Sequence, residues 1–228
     1  ALQKATARVA KERKQKEKPI VFSVCEWGWG KPYNWGAKAG NLWRTTPDIR
    51  PWWWWIKLIY EHTVKLYPYA SKGHYNDPDM LEVGNGKLSY NQNVSHFSLW
   101  CMMNAPLILG NDLRNMSDQV KSIVTNRNMI AINQDPLAKQ AKRVRKGAVD
   151  VLAKPLADGS VAVCFFNKTS HAKSCKFDLN TLANDEYVAM QKKSEYSLKE
   201  QWSGQIATTD GKVNAVLEKH QTKVFIVK

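Results

Sequence analysis

The 228-residue chain is long enough for one large domain or two smaller ones, and its 43% hydrophobic and 24% charged residues indicate a globular protein. Its apolar runs fall short of the roughly 18 residues that a membrane helix needs, so we expect no membrane partner. The net charge of +14 suggests nucleic-acid binding as one hypothesis. However, the sequence contains no zinc-ligand spacing, no RNA-binding aromatic motif and no helix-turn-helix signature. We therefore expect no nucleic-acid partner, and interpret the basic residues as solvated faces.

The first part of the chain alternates between short apolar runs and amphipathic stretches. Residues 1–18 predict a helix that lacks an N-cap residue, from which we expect a longer protein upstream. Strand, loop and helix then repeat four times in about 130 residues, which indicates parallel βα units. The predicted strands are 19–24, a segment near 41–45, 80–84 and 106–110, and the predicted helices are 51–67, 91–105 and a pair across 117–134.

After Gln134 the pattern changes to short apolar strands separated by turn residues such as those in "ADGS" and "TTDGK". This pattern predicts a small antiparallel domain, of the β-sandwich type. The predicted strands are 149–156, 160–169, 173–179, 186–191 and two within 213–228. We accordingly divide the chain into 1–138, with the parallel βα units, and 139–228, with the antiparallel strands.

The cysteines do not form a dense disulfide framework, and no CxxC occurs. Cys164 and Cys175 lie on two predicted strands and can either pair as neighbours or stay buried as thiols. The five histidines show no HExxH or other metal-ligand spacing, and we interpret them as structural. Three N-glycosylation sequons are present where about two are expected by chance, so the compartment stays open.

Unusual polar and aromatic residues follow the first two predicted strands of the first part, and others lie just ahead of, or at, the third. In parallel βα architectures, functional groups collect at the carboxyl ends of the strands. Carboxylates, one guanidinium and an indole around one rim are typical of a carbohydrate site, because aromatic faces stack on sugars while charged groups bind hydroxyls. The candidate residues are Cys25, Trp27, Arg44, Asp48, Asp79 and Met80.

Three long strings carry a resemblance to a known family: "FSVCEWGWGKPYNWGAKAGNLWRTTPDI", "YNDPDMLEVGNGKLSYNQNVSHFSLWCMMNAPLILGNDL" and "IAINQDPL". The chain closely resembles the glycoside hydrolase family 27 α-galactosidases of the plant-like type, in their C-terminal part. The resemblance implies the C-terminal half of a (β/α)₈ barrel, strands five to eight, in residues 1–138, followed by the antiparallel β-sandwich domain in residues 139–228. It also implies an α-galactoside substrate and no metal or organic cofactor.

By this resemblance, Asp48 in "WRTTPD" is the general acid/base of a retaining double displacement. It would protonate the glycosidic oxygen and then deprotonate the attacking water. Arg44, four residues earlier, would bind galactose hydroxyls with its fork of donors.

The other candidates would form the walls of the galactose pocket. Cys25 and Trp27 would lie near the sugar 2-hydroxyl, and Asp79 and Met80 would close another wall. The family's nucleophilic aspartate belongs to a Lys-Tyr-Asp type motif, and this chain contains no such motif. The resemblance therefore implies a partner, the N-terminal half of the barrel, supplied by the same protein or by a companion chain.

Several plainer interpretations stay open. Asp48 could cap a helix that starts at Pro51, Asp79 could serve turn chemistry beside Pro78, and Cys25 could be a buried small residue. The run Trp52–Trp55 spans more than one helix face, so some indoles should be core and others an outer sugar subsite or a subunit contact. The function could also be that of a non-catalytic carbohydrate-binding fragment, an α-N-acetylgalactosaminidase or a β-L-arabinopyranosidase. By the resemblance, enzymes with an acetamido pocket have small residues where this chain has "CEWG", which favours galactose.

Overall fold

The computed structural model describes residues 2–228. Its first helix ends at Glu12, six residues earlier than predicted, and residue 1 of that predicted helix lies outside the described residues. The helix predicted over 51–67 is α-helical only to Thr63 and continues as a 3₁₀ helix to Tyr69. The α-helices are α1 Leu2–Glu12, α2 Trp53–Thr63, α3 Tyr90–Met102, α4 Asp118–Val124 and α5 Arg127–Asn133.

Three short parallel strands form the sheet of the first part, in the order β1-β2-β3. They are β1 Ser23–Val24, β2 Leu42–Arg44 and β3 Tyr75–Asp77. In register, Val24 lies beside Trp43, and Arg44 lies beside Asp77. Consecutive strands therefore end at the same edge, as the βα pattern predicts.

The predicted strands 80–84 and 106–110 are wrong as strands. They meet only in one parallel bridge, between Leu81 and Leu109. The ladder of β3 stops at Asp77 because Pro78 cannot donate a backbone hydrogen bond and Asp79 has a left-handed backbone with φ of 80°.

The second part contains two antiparallel sheets, which confirms the predicted sheet domain. One has six strands in the order β4-β5-β6-β11-β8-β9, and the other pairs β7 with β10. The buried side chains between the two sheets form one hydrophobic cluster. The strands are β4 Lys142–Arg145, β5 Val149–Pro155, β6 Val161–Asn167, β7 Lys173–Asp178, β8 Tyr196–Glu200, β9 Ile206–Thr209, β10 Lys212–Leu217 and β11 Thr222–Val227.

The strand predicted over 186–191 is wrong. This segment is irregular, although Val188 and Met190 are buried in the cluster between the sheets. Ala189, between them, has a positive φ of 47°, which a continuous strand does not allow. The alternation of apolar residues that predicted a strand comes instead from a turn that points two side chains inward.

The helices of the first part and one face of the six-stranded sheet share a hydrophobic core. Phe97 and Trp100 of α3 belong to the same cluster as Leu152, Cys164 and Phe166 of the sheet. Among residues 2–228, no helix combines the length and apolarity needed to cross a membrane.

The pair Cys164 and Cys175 does not form a disulfide. Both thiols are free and buried, and they belong to different clusters, one on each side of the six-stranded sheet. Burial raises the pKa of both thiols, so they pack as small apolar groups, the second of the two alternatives.

Candidate functional site

The predicted site residues of the first part come together where the three parallel strands end. Cys25 directly follows β1, Arg44 is the last residue of β2, and Asp79 lies two residues beyond β3. Because neighbouring strands keep a parallel register, their carboxyl ends present these side chains at one edge.

Arg44 is the centre of the cluster. Its Nη2 lies 3.1 Å from Asp48 Oδ1 and 2.6 Å from Asp79 Oδ2, so one guanidinium nitrogen bridges two carboxylates. The Arg44 side chain is only 10% exposed, and its Nη1 lies 3.9 Å from the Cys25 sulfur. The same Nη2 also donates to the Thr46 carbonyl oxygen. A buried guanidinium held in this way is a fixed positive centre.

Asp79 uses both carboxylate oxygens within the protein. Oδ2 accepts the Ile49 amide at 2.8 Å as well as Arg44, and Oδ1 accepts the Met80 amide at 2.8 Å. Its backbone oxygen accepts the indole N–H of Trp100 from α3. With a side chain only 11% exposed, Asp79 is a rigid support that ties the loop after β3 to the loop after β2.

Asp48 is in the opposite situation. Its side chain is 55% exposed, and within residues 2–228 its Oδ2 has no hydrogen-bond partner. Its carbonyl oxygen accepts the Trp55 indole N–H at 2.9 Å. The N-cap of α2 is Trp52, so the interpretation of Asp48 as a helix cap is wrong. The position leaves one carboxylate oxygen open to solvent beside a fixed guanidinium.

The "CEWGWG" loop lies against the segment that follows Arg44. Gly28 has a positive φ of 80°, and a Cβ there would collide with the Thr45 carbonyl oxygen. Glu26, to which no role was assigned from sequence, closes the loop by accepting the Gly30 amide at 2.6 Å. Trp27 also has a left-handed backbone, with φ of 59°, and its indole stays half-exposed. The glycine thus allows the close approach, and the strained turn projects the indole.

Cys25 and Met80 are both exposed at this edge of the sheet. The interpretation of Cys25 as a buried small residue is therefore wrong. Met80 follows Asp79 directly, and Gly110 passes close to the next residue, where a Cβ would lie only 2.9 Å from the Leu81 carbonyl oxygen.

Asp77 belongs to the same cluster, although the sequence analysis gave it no role. It ends β3, is nearly fully buried, and accepts the Asp79 amide at 2.8 Å. Burial raises its pKa, and the Asp79 amide and Arg44 only partly oppose this effect. The available signal was the spacing Asp-Pro-Asp, in which the first carboxylate fixes the backbone turn that aims the second.

The described residues, 2–228, contain no cluster of three or more His, Cys, Asp or Glu side chains that could hold a metal ion. The site is built from carboxylates, one guanidinium, a thiol, a thioether and indoles.

Comparisons with known proteins identify the family and the fold of the chain. A family model described as "Alpha galactosidase A" matches residues 2–135, and one described as "Alpha galactosidase C-terminal beta sandwich domain" matches residues 146–227. An α-galactosidase A from Cellvibrio japonicus is 37% identical over 91% of this chain and 55% of its own length. An α-N-acetylgalactosaminidase from Gallus gallus is 40% identical over 66% of this chain and 40% of its own length.

The solved structure of α-galactosidase I from Mortierella vinacea matches 99% of this chain and 62% of that protein, with a TM-score of 0.86 and 23% identity. At this identity it supports the fold alone. The chain spans about half the length of the curated relatives it matches, plant α-galactosidases among them.

Proposed function

The chain belongs to the α-galactosidase family whose two models match its two parts, and we propose that it carries the acid/base side of a retaining glycosidase that removes terminal α-linked galactose. The observation that carries this proposal is the bridge from Arg44 to Asp48 and Asp79. It combines the fixed guanidinium of Arg44 with two carboxylates. Both oxygens of Asp79 are hydrogen-bonded within the protein, whereas one oxygen of Asp48 is open to solvent.

In this proposal Asp48 is the general acid/base. Its open Oδ2 can reach a glycosidic oxygen, first as the donor of a proton and then as the base for water. Arg44 binds galactose hydroxyls, and Asp79 keeps the guanidinium in place while forming part of the pocket. Cys25, Trp27 and Met80 form the remaining walls, with the indole face available for stacking on the sugar ring.

The nucleophile of this mechanism lies outside the chain in our proposal. A retaining glycosidase needs a second carboxylate about 5 Å from the acid/base. Asp79 is a poor candidate because both of its oxygens are already engaged, and the Asp77 carboxylate is buried and bonded to the Asp79 amide. We place the nucleophile on the N-terminal half of a (β/α)₈ barrel, supplied by the same protein or by a companion chain.

The same proposal assigns residues 1–138 to barrel strands five to eight and residues 139–228 to the sandwich domain. Three parallel strands in sequential order and the parallel bridge from Leu81 to Leu109 support this assignment. The exposed Val21 and the partly exposed Phe22, which directly precede β1, also fit an interior that the rest of a barrel would cover.

The substrate is tested with two nitrophenyl glycosides on the natural-length protein. We expect the α-galactoside to turn over faster than the N-acetyl-α-galactosaminide, because the bulky "CEWG" segment, Trp27 above all, leaves little space for an acetamido group. The opposite preference would favour the α-N-acetylgalactosaminidase alternative. A sole species near 26.0 kDa that hydrolyses neither glycoside would favour a non-catalytic sugar-binding protein.

A further inference from the structure

The four tryptophans Trp52–Trp55 at the start of α2 have two kinds of environment. Trp53 donates its indole N–H to His220 Nδ1 at 3.0 Å, across the junction with the antiparallel part. Trp55 donates its indole N–H to the Asp48 carbonyl oxygen at 2.9 Å. Both side chains also pack against the shared core, so these two indoles have structural roles.

The other two tryptophans have no such role. Trp52 and Trp54 are 52% and 57% exposed, and their rings stack with centroids 5.8 Å apart and planes inclined by 16°. Within residues 2–228, neither indole N–H has a hydrogen-bond partner. The pair forms one apolar surface with two available donors, a combination that suits a ligand with both C–H faces and hydroxyls.

This indole pair is linked to the candidate acid/base through Trp55. Trp54 packs edge-on against Trp55 with ring centroids 5.3 Å apart, and Trp55 holds the Asp48 backbone. Within the ion pair of Arg44 and Asp48, the exposed fraction of the side chain rises from 10% for Arg44 to 55% for Asp48. A general acid lies at the bond that is broken, so the surface beyond it, away from Arg44, faces the leaving group.

We propose that Trp52 and Trp54 form a leaving-group subsite, on which the first pyranose attached to the scissile galactose stacks. This inference rests on the proposed function. The surface is small, since two half-exposed indoles offer together about 200 Å². One partner of a stable protein–protein interface buries about 800 Å². A sugar ring therefore fits the pair better than a second copy of the chain does.

The test compares two substrates of the natural-length protein. α-Galactosyl fluoride has a single-atom leaving group that cannot reach the pair, whereas a galactosylated manno-oligosaccharide has a sugar leaving group. We expect Trp52→Ala and Trp54→Ala to lower kcat/KM about tenfold for the oligosaccharide, mainly through KM, and far less for the fluoride. Trp54→Phe, which keeps a ring face, should retain most of the oligosaccharide activity. The matched control is Ile206→Ala, an exposed apolar side chain on β9, and it should leave both substrates unchanged.

Equal losses on both substrates would overturn the proposal, because the pair would then act through Asp48 or through stability. No loss on either substrate would also overturn it, as would a loss that accompanies dissociation of an oligomer in size-exclusion chromatography. If the unaltered protein hydrolyses neither substrate, the proposed function fails and mannotriose binding tests the subsite alone. Tryptophan fluorescence that mannotriose quenches in the unaltered protein but not in the double variant would support the subsite, and no quenching would overturn it.

Discussion

At the scale of single residues, two aspartates bound to one guanidinium nitrogen differ in everything else. Asp79 accepts two backbone amides and is nearly buried, whereas Asp48 is more than half exposed and keeps one oxygen open. Environment, and not residue type, divides this pair of carboxylates into a fixed support and the solvent-exposed group that we propose as the acid/base. The Trp55 indole donates to the Asp48 carbonyl oxygen and so helps to hold the backbone of the proposed acid/base.

Asp48→Asn in the natural-length protein should lower activity about 10²–10⁴-fold on substrates whose leaving groups need protonation. Substrates with very acidic phenol leaving groups should lose much less in the first step, because the phenolate departs without help. The second step would still lack its base, so added azide should restore turnover and form galactosyl azide of retained configuration. The measurement is kcat/KM for the two substrate types with and without azide.

Asp79→Asn is the matched control. It makes the same chemical change as Asp48→Asn, but in the carboxylate that holds the Arg44 guanidinium in place. It should reduce both substrate types alike and show no azide rescue. If Asp48→Asn behaved in this same way, the assignment of Asp48 as the acid/base would be wrong.

At the scale of elements, helix α3 holds the loop that carries Asp79. Trp100 donates to the Asp79 carbonyl oxygen at 2.8 Å, and His96 Nε2 accepts the Glu82 amide at 2.9 Å. The two rings pack edge-on, with centroids 4.1 Å apart. A capping box between Ser89 and Gln92 fixes the residue at which α3 begins. The positions of His96 and Trp100 relative to the loop that carries Asp79 are therefore fixed as well.

His96 should make the protein sensitive to acid. Complete burial lowers its pKa to about 3, whereas the unfolded chain takes up the proton near pH 6.5. The stabilising effect of the neutral ring is thus complete above about pH 6.5 and is lost as the pH falls towards 3. At pH 4.5 the loss should reach about 2–3 kcal/mol, since each pH unit inside this window contributes about 1.4 kcal/mol.

The measurement is the free energy of unfolding in urea at pH 7 and pH 4.5. His96→Gln, which keeps an acceptor but does not titrate, should lose less stability between these pH values than the unaltered protein. His171→Gln, at an exposed site, should show the same pH dependence as the unaltered protein. Identical pH dependence for all three proteins would contradict the role given to His96.

The sequence pattern predicted the elements that have strong local signals. Helix α3 and strands β5, β6 and β7 lie where apolar periodicity placed them, because burial on one or both faces leaves a clear pattern. Strands β3, β4, β8 and β9 were missed. Strand β3 is short and carries Asn76 and Asp77, β4 and β8 carry charged side chains, and β9 is almost entirely exposed. These strands exist because a neighbour completes their backbone hydrogen bonds, which is a tertiary effect.

In the candidate site, too, some features could be predicted from local sequence patterns and others could not. The meeting of Cys25 and Arg44 was predictable because parallel strands end at one edge. Asp79 was expected just ahead of a strand over 80–84, whereas it follows β3, a strand that was not predicted. The contacts from Trp55 to Asp48 and from Glu26 to Gly30 were not predictable, since they depend on side-chain geometry within loops.

At the scale of the whole molecule, a buried ionic network joins α2 to the six-stranded sheet. Asp150 of β5 accepts the Tyr60 hydroxyl at 2.9 Å and forms ion pairs of 3.0 Å with both Arg143 and Lys168. Glu61 of α2 completes the network by pairing with the same two cations, at 2.6 Å and 2.8 Å. Together with the shared hydrophobic core, these contacts should make the two parts unfold as one cooperative unit.

Asp150→Asn should therefore destabilise both parts together. The amide keeps an acceptor for Tyr60 but removes the charge, so Glu61 alone would have to balance two partly buried cations. Loss of one partner from a buried ion pair costs about 3–5 kcal/mol, because the remaining charge is left uncompensated away from water. Guanidinium unfolding of the natural-length protein, monitored by tryptophan fluorescence and by β-sheet circular dichroism, should show both signals shifting to lower denaturant by the same amount.

The control is Glu12→Gln, which removes an exposed ion pair with Arg8. It should change the free energy of unfolding by no more than about 0.5 kcal/mol. If Asp150→Asn shifted only the β-sheet signal and left the fluorescence transition in place, the network would stabilise the antiparallel part alone and would not couple it to α2.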